Sequence, residues 1–138
     1  RGNKNYISKL KSISEELDID KIIIWKGYIP YPELPQVYFE NDILLLLSHS
    51  EGFPKVILEA ISCGLKVVST RSFYVDGFLN EIIEWVDGED DEEKIVDQIM
   101  STLNKEINSE RVKQEYSWSK KAEEIDEIYE RLTEQITI

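Results

Sequence analysis

Apolar positions along the chain recur at two periods, and the alternation of those periods sets out the elements. Tyr6, Leu10, Ile13 and Leu17 follow one another at spacings of four, three and four, a one-sided stripe that predicts a helix ending near Asp18. The run "KIIIW" at 21–25 is short, β-branched and continuous, and predicts a strand closed by Gly27 and followed by the proline-punctuated loop "GYIPYPELP". A short helical turn is expected over 34–39. "DILLLL" at 42–47 is a second continuous run, the pattern of a parallel strand covered on both faces by helices. The loop residues "SHSEGF" interrupt it. A helix is predicted from Pro54 to Cys63, because proline suits the first helical position and Gly64 suits the left-handed residue beyond the end. "LKVVST" at 65–70 predicts a third strand.

Residues 71–88 predict a loop, a short helix around Leu79 to Ile83 and a short edge strand near Glu84 to Val86. "EDDEEKIVDQIMSTL" predicts a helix whose stacked acids lie in its first turn, where the helix dipole favours negative charge. The last stripe runs through Trp118, Ala122, Ile125, Tyr129, Leu132 and Ile136. Fewer than three heptads are sustained, so it predicts a long amphipathic helix docked on a neighbouring surface rather than a coiled coil. Strand and helix alternate with short links, which specifies the α/β class, with right-handed β-α-β units and a parallel sheet. Ligands of such sheets bind beyond the carboxyl ends of the strands, here the loops after Trp25, Leu47 and Ser69.

Composition narrows the function classes. At 138 residues, 41% hydrophobic and 10% aromatic, the chain holds one core, and a single domain is expected over 1–138. It opens on Arg1 without a charged-then-apolar leader, so its start reads as a cut rather than a signal peptide. The longest purely apolar run, "ILLLL" at 43–47, is far below the roughly 20 residues of a membrane-spanning helix. The lone Cys63 excludes an internal disulfide and fits a reducing, cytoplasmic setting. A formal charge of −12 argues against unspecific nucleic-acid binding. Residues 1–11 carry four basic residues and no acid, while 81–97 carry nine acids against Lys94 alone, and both read as solvated faces. His49 and Cys63 stand fourteen positions apart and form no metal-ligand spacing, so no metal is expected.

The loop after Leu47 carries the candidate chemistry. It runs into a helix N-terminus, where unpaired N–H groups and the positive dipole end suit an anion such as phosphate. Gly52 lets a ligand approach the backbone, and Phe53 and Pro54 stiffen the turn. Glu59 is the only charged residue between Val56 and Leu65, and a carboxylate there requires a partner if buried. It either faces solvent or caps a backbone group, or accepts hydrogen bonds from ligand hydroxyls such as a ribose diol. His49, two residues before Glu51, reads as a loop residue hydrogen-bonded to backbone in preference to a general base.

"DILLLLSHSEGFPKVILEAISCGLKVVST" pairs Glu51 and Glu59 across seven residues, follows Glu59 with Ala60, and places Gly64 before the next strand. This combination resembles the nucleotide-sugar-binding segment of retaining glycosyltransferases with the GT-B architecture, glycosyltransferase family 4. "WKGYIPYPELPQVYFENDILLLLS" is similar to the family's strand, base-side loop, short helix and strand, and "YSWSKKAEEIDEIYERL" to its closing helix. The resemblance covers residues 6–69 and 89–132. "RSFYVDGFLNEII" departs from the family's glycine-rich stretch and Pro-Glu pair. Two opening strand-helix units and a basic pair that clamps the donor diphosphate have no counterpart here.

The resemblance implies a Rossmann-like carboxyl-terminal donor domain, lacking its first strands and inactive alone, with an amphipathic helix at about 118–136. It implies that Glu59 holds the ribose hydroxyls and that Glu51, the catalytic candidate, positions the transferred sugar. Backbone N–H groups of Gly52, Phe53, Lys55 and Val56 would bind sugar hydroxyls and diphosphate, and Gly27 and Tyr28 would support the base. Pro54 offers one N–H fewer than members with glycine there. The implied partners are a UDP- or GDP-sugar and a saccharide or lipid-linked acceptor, with peripheral membrane association through the latter and no cofactor. A non-catalytic binding domain derived from the same fold is the alternative. A sugar-nucleotide epimerase or a phosphorylase would need groups that the sequence does not show.

Overall fold

The structure is a computed structural model that describes residues 4–75, 77–87 and 92–136, and the chain divides into two compact units, residues 1–31 and 32–138. In the first unit, helix α1 spans Lys4–Glu16. It closes through hydrogen bonds from Asp18 N to Glu15 O and from Ile19 N to Ser14 O, both 3.0 Å. Asp18 takes φ 53 to make that closure, the left-handed place usually given to glycine, so the helix ends where the stripe predicts.

The strand predicted at 21–25 does not form. Asp20–Ile22 makes a 3-10 turn, and residues 23–30 have no regular structure. Ile22 and Ile24 are 80% and 81% exposed. A β-branched run becomes a strand only when a neighbour takes its N–H and C=O groups, and among the described residues no strand pairs with this one. Trp25 instead lies beneath the ammonium of Lys11, 5.9 Å from its ring centroid.

In the second unit, a 3-10 turn ending at Glu33 leads into α2, Leu34–Phe39. Strand β1 (Ile43–Leu46), helix α3 (Lys55–Ser62), strand β2 (Lys66–Thr70), helix α4 (Gly77–Ile82) and strand β3 (Ile83–Val86) follow. Helices α5 (Glu92–Leu103), α6 (Ser109–Glu115) and α7 (Trp118–Ile136) complete the chain. The three strands form a parallel sheet in the order β1-β2-β3, with Leu46 opposite Ser69 and Ser69 opposite Trp85. This is the expected α/β class: a Rossmann-like parallel sheet flanked by helices.

Burial explains why β2 lies in the middle. Val67 and Val68 point to opposite faces, and both are almost fully buried, so each face is covered. Ile57, Ala60 and Ile61 of α3 join Val67, Leu79, Ile83 and Val112 in the core cluster. Helix α5 packs on β2 and β3, while α3 packs on β2, α2 and α6.

Three elements differ from the sequence expectation. Pro54 is the residue before α3 rather than its first, because its ψ of 97 is extended. Helix α6 is additional; its cap is the Asn108 side chain, which accepts from Arg111 N at 3.0 Å. The stripe of α7 is exposed as far as its side chains are described, with Trp118 at 86% and Tyr129 at 63%. Of the predicted acids at the start of α5, Glu92 and Glu93 occupy its first turn, while Glu89, Asp90 and Asp91 lie outside the described residues. Among the described residues no helix is long and apolar enough to cross a membrane.

Candidate functional site

The carboxyl ends of the three strands point one way, and the loop from Leu47 to Pro54 leaves the first of them. Two buried hydroxyls at the end of β2 brace its departure. Ser69 Oγ donates to Leu46 O at 3.0 Å, and Thr70 Oγ1 donates to Ser48 O at 2.6 Å. Glu51 N then donates to Ser72 O at 3.1 Å, which ties the loop after β1 to the loop after β2. The bond from Thr70 satisfies the carbonyl of Ser48, which lies beyond the last ladder pair, Leu46 with Ser69.

On that frame, Glu51 is half-buried and its Oε1 accepts from Ser48 Oγ at 2.7 Å. Gly52 and Phe53 are exposed at the tip. Helix α3 starts immediately after Pro54, whose carbonyl accepts from Ile57 N at 3.0 Å. Among the described residues, the N–H groups of Gly52, Phe53, Lys55 and Val56 have no protein acceptor. Four unpaired N–H groups within five residues, at the positive end of a helix dipole, form a surface that receives oxygen atoms carrying negative charge.

Helix α3 ends in a tight closure in which Gly64 N donates to Ile61 O at 2.9 Å and Leu65 N to Ala60 O at 3.0 Å. Gly64 makes it possible at φ 93. The closure fixes the distance from the loop to β2 and so the height of α3 over the sheet. Glu59, in the second turn, is partly buried, and its Oε2 accepts from Tyr38 OH at 3.0 Å. Its partner is thus a phenol from α2, neither solvent alone nor a backbone group. Burial pushes the nearby Cys63 thiol up from its usual range, with Lys113 opposing and Glu59 adding to the rise.

A cleft of about 300 Å³ opens at the same end of the sheet, between Ser48 and His49 after β1, Thr70 at the end of β2 with Arg71 and Ser72 beyond it, and Asp87 after β3. Leu47 and Ile95 complete its walls, which mix polar and apolar surface. Arg71 is exposed, with its guanidinium 4.9 Å from the ring centroid of Trp85. The cleft shares the loop after β1 with the unpaired N–H groups, and neither Glu51 nor Glu59 lines it. His49 is exposed on its wall. Among the described residues no group of three His, Cys, Asp or Glu side chains is arranged to hold a metal ion.

The structure therefore gathers Glu51, Gly52, Phe53, Lys55, Val56 and Glu59 onto one loop and one helix. Gly27, at φ 66, and Tyr28, 89% exposed, belong to the first unit. Sequence reasoning missed Ser48, Tyr38, Thr70 and Arg71. Ser48 carried a signal, a hydroxyl three residues before a glutamate in a loop. Tyr38 carried none, because the residue that it meets is twenty-one positions away.

The chain is similar to known proteins over most of its length. The family model described as glycosyl transferases group 1 matches residues 1–129. A D-inositol 3-phosphate glycosyltransferase from Corynebacterium jeikeium (strain K411) is 32% identical over 93% of this chain and 32% of its own length. One subunit of the phosphatidylinositol N-acetylglucosaminyltransferase of Arabidopsis thaliana is 30% identical over 89% of this chain and 29% of its own length. A lipopolysaccharide 1,6-galactosyltransferase from Escherichia coli (strain K12) is 41% identical over 49% of this chain and 20% of its own length. The chain thus spans a third or less of each of these relatives.

Proposed function

The chain belongs to the group 1 glycosyl transferases, and from that premise we propose that it is the donor-binding part of a retaining GT-B glycosyltransferase of family 4. The observation that carries this reading is the set of four unpaired N–H groups at the entrance of α3, flanked by the two glutamates.

Transfer of a sugar from a nucleoside diphosphate leaves negative charge on the diphosphate as the glycosidic bond lengthens. Fixed N–H dipoles at the start of a helix stabilise that charge without reorganising, which is the condition for an electrostatic contribution to rate. Gly52 and Phe53 take hydroxyls of the transferred sugar, and Lys55 and Val56 take the diphosphate. Glu51, oriented by Ser48, accepts from sugar hydroxyls on the same face. Its role is positioning and electrostatic, in keeping with transfer on one face and retention of configuration. Glu59 accepts from the ribose hydroxyls of a UDP- or GDP-sugar.

The acceptor is a saccharide or a lipid-linked saccharide. The names of the relatives, an inositol 3-phosphate, a phosphatidylinositol and a lipopolysaccharide transferase, support an acceptor rich in hydroxyls and a full-length protein that works at a membrane surface. Cytoplasmic placement agrees with the single unpaired thiol of Cys63.

The test is thermal unfolding of the full-length protein with UDP, GDP and their sugars. Saturation at about 100 times Kd stabilises a fold by about 2.7 kcal/mol, a rise on the order of 5–10 °C for a domain of this size. Glu59→Ala should weaken binding ten- to a hundredfold, the worth of hydrogen bonds to a charged group. Glu51→Gln should lower sugar transfer on the order of a hundredfold with less effect on nucleotide binding. Absence of a shift with every nucleotide would overturn the proposal in favour of a non-catalytic binding domain.

A further inference from the structure

We propose that Tyr38 is the positioning residue for Glu59, holding its carboxylate in the orientation that reads a ribose diol. The inference rests on the ribose-binding role proposed for Glu59. Tyr38 lies in the last turns of α2, with its ring 9% exposed in the core beside α3. Its hydroxyl donates to Glu59 Oε2 at 3.0 Å, across twenty-one residues of chain. Packing alone does not require that hydroxyl, since a phenylalanine ring fills the same space. The oxygen serves the carboxylate.

A carboxylate offers about four acceptor positions. Tyr38 occupies one of them, on Oε2, and among the described residues the carboxylate of Glu59 accepts no other hydrogen bond. Oε1 and the second position on Oε2 therefore remain for a ligand. A vicinal diol presents two O–H donors, and a carboxylate with a fixed plane accepts both together. A glutamate on a helix otherwise samples several rotamers, and ordering it on binding costs affinity. Anchoring one oxygen to a core phenol removes that cost before the nucleotide arrives. The contrast with Glu51 supports this division: the Glu51 carboxylate is held by Ser48, three residues away on its own loop, whereas that of Glu59 is referenced to the core through a second helix.

Binding of UDP and 2′,3′-dideoxy-UDP, with the corresponding guanosine pair in parallel, separates orientation from packing. The full-length wild type, Tyr38→Phe, Glu59→Ala and the double variant are measured by calorimetric titration, with ligand-free melting as the control on folding. Wild type should prefer the ribonucleotide, and Glu59→Ala should abolish the preference. Tyr38→Phe should reduce it about tenfold, leave affinity for the dideoxy compound unchanged, and add nothing to Glu59→Ala in the double variant. An equal loss for both nucleotides in Tyr38→Phe, or a further loss in the double variant, would overturn the role of Tyr38 while the ribose contact of Glu59 stands. A wild type indifferent to the ribose hydroxyls, or a preference that survives Glu59→Ala, would remove both.

Discussion

Thr70 ends the central strand with its hydroxyl on the carbonyl of Ser48, and that bond, beside the one from Ser69 Oγ to Leu46 O, braces the start of the functional loop. Thr70 itself is 8% exposed, while Ser48 is half-buried on the wall of the cleft, so water replaces part of what the hydroxyl supplies. Thr70→Val keeps the shape and removes the donor. The expected cost is about 0.5–1.5 kcal/mol, the net worth of one hydrogen bond at a partly solvated site, measured as a lower urea midpoint at unchanged slope. Nucleotide binding should weaken as well, because Glu51 and the N–H groups follow Ser48. The individual candidates Glu51, Gly52 and Glu59 were legible in the sequence, since spacing and an isolated charge single them out. The groups that orient them were not: Tyr38 and Thr70 lie more than twenty positions from the atoms they hold, and no local period encodes such a meeting.

Helix α3 shows how an element sets the geometry of a site. Gly64 closes it at φ 93, and a methyl group built there would meet nothing within 4 Å. The cost of Gly64→Ala is therefore conformational rather than steric crowding from neighbours, about 1–2 kcal/mol for an L-residue in left-handed backbone, seen as a lower melting temperature with the fold intact. The elements of the second unit were legible wherever local pattern and partner agree. "DILLLL" and "LKVVST" became β1 and β2 because each finds a ladder, and "KIIIW", equally continuous in its apolar run, did not because it finds none among the described residues. Helix α6 escaped notice because its apolar content is slight, Val112 being its one buried residue, and its start is marked only by Asn108.

At the scale of the molecule, a charge of −12 works against compactness. Raising salt from about 10 mM to about 150 mM shortens the screening length from roughly 30 Å to 8 Å. The melting temperature of dilute protein should rise by a few degrees, and a fall would show that local ion pairs outweigh the general repulsion. Exposed pairs such as Lys120 with Glu123, 3.7 Å apart, contribute too little to reverse that sign. Strand β1 has a further bearing here, since among the described residues its backbone is laddered on one side only and it carries "ILLL". A half-satisfied apolar strand is a template for another copy. Mutual repulsion between acidic molecules delays that encounter, so the salt that tightens a single molecule also lowers the colloidal barrier between two. Light scattering at high protein concentration should therefore grow with the same additions that raise the melting point, and the two curves set a working window of ionic strength for handling the protein.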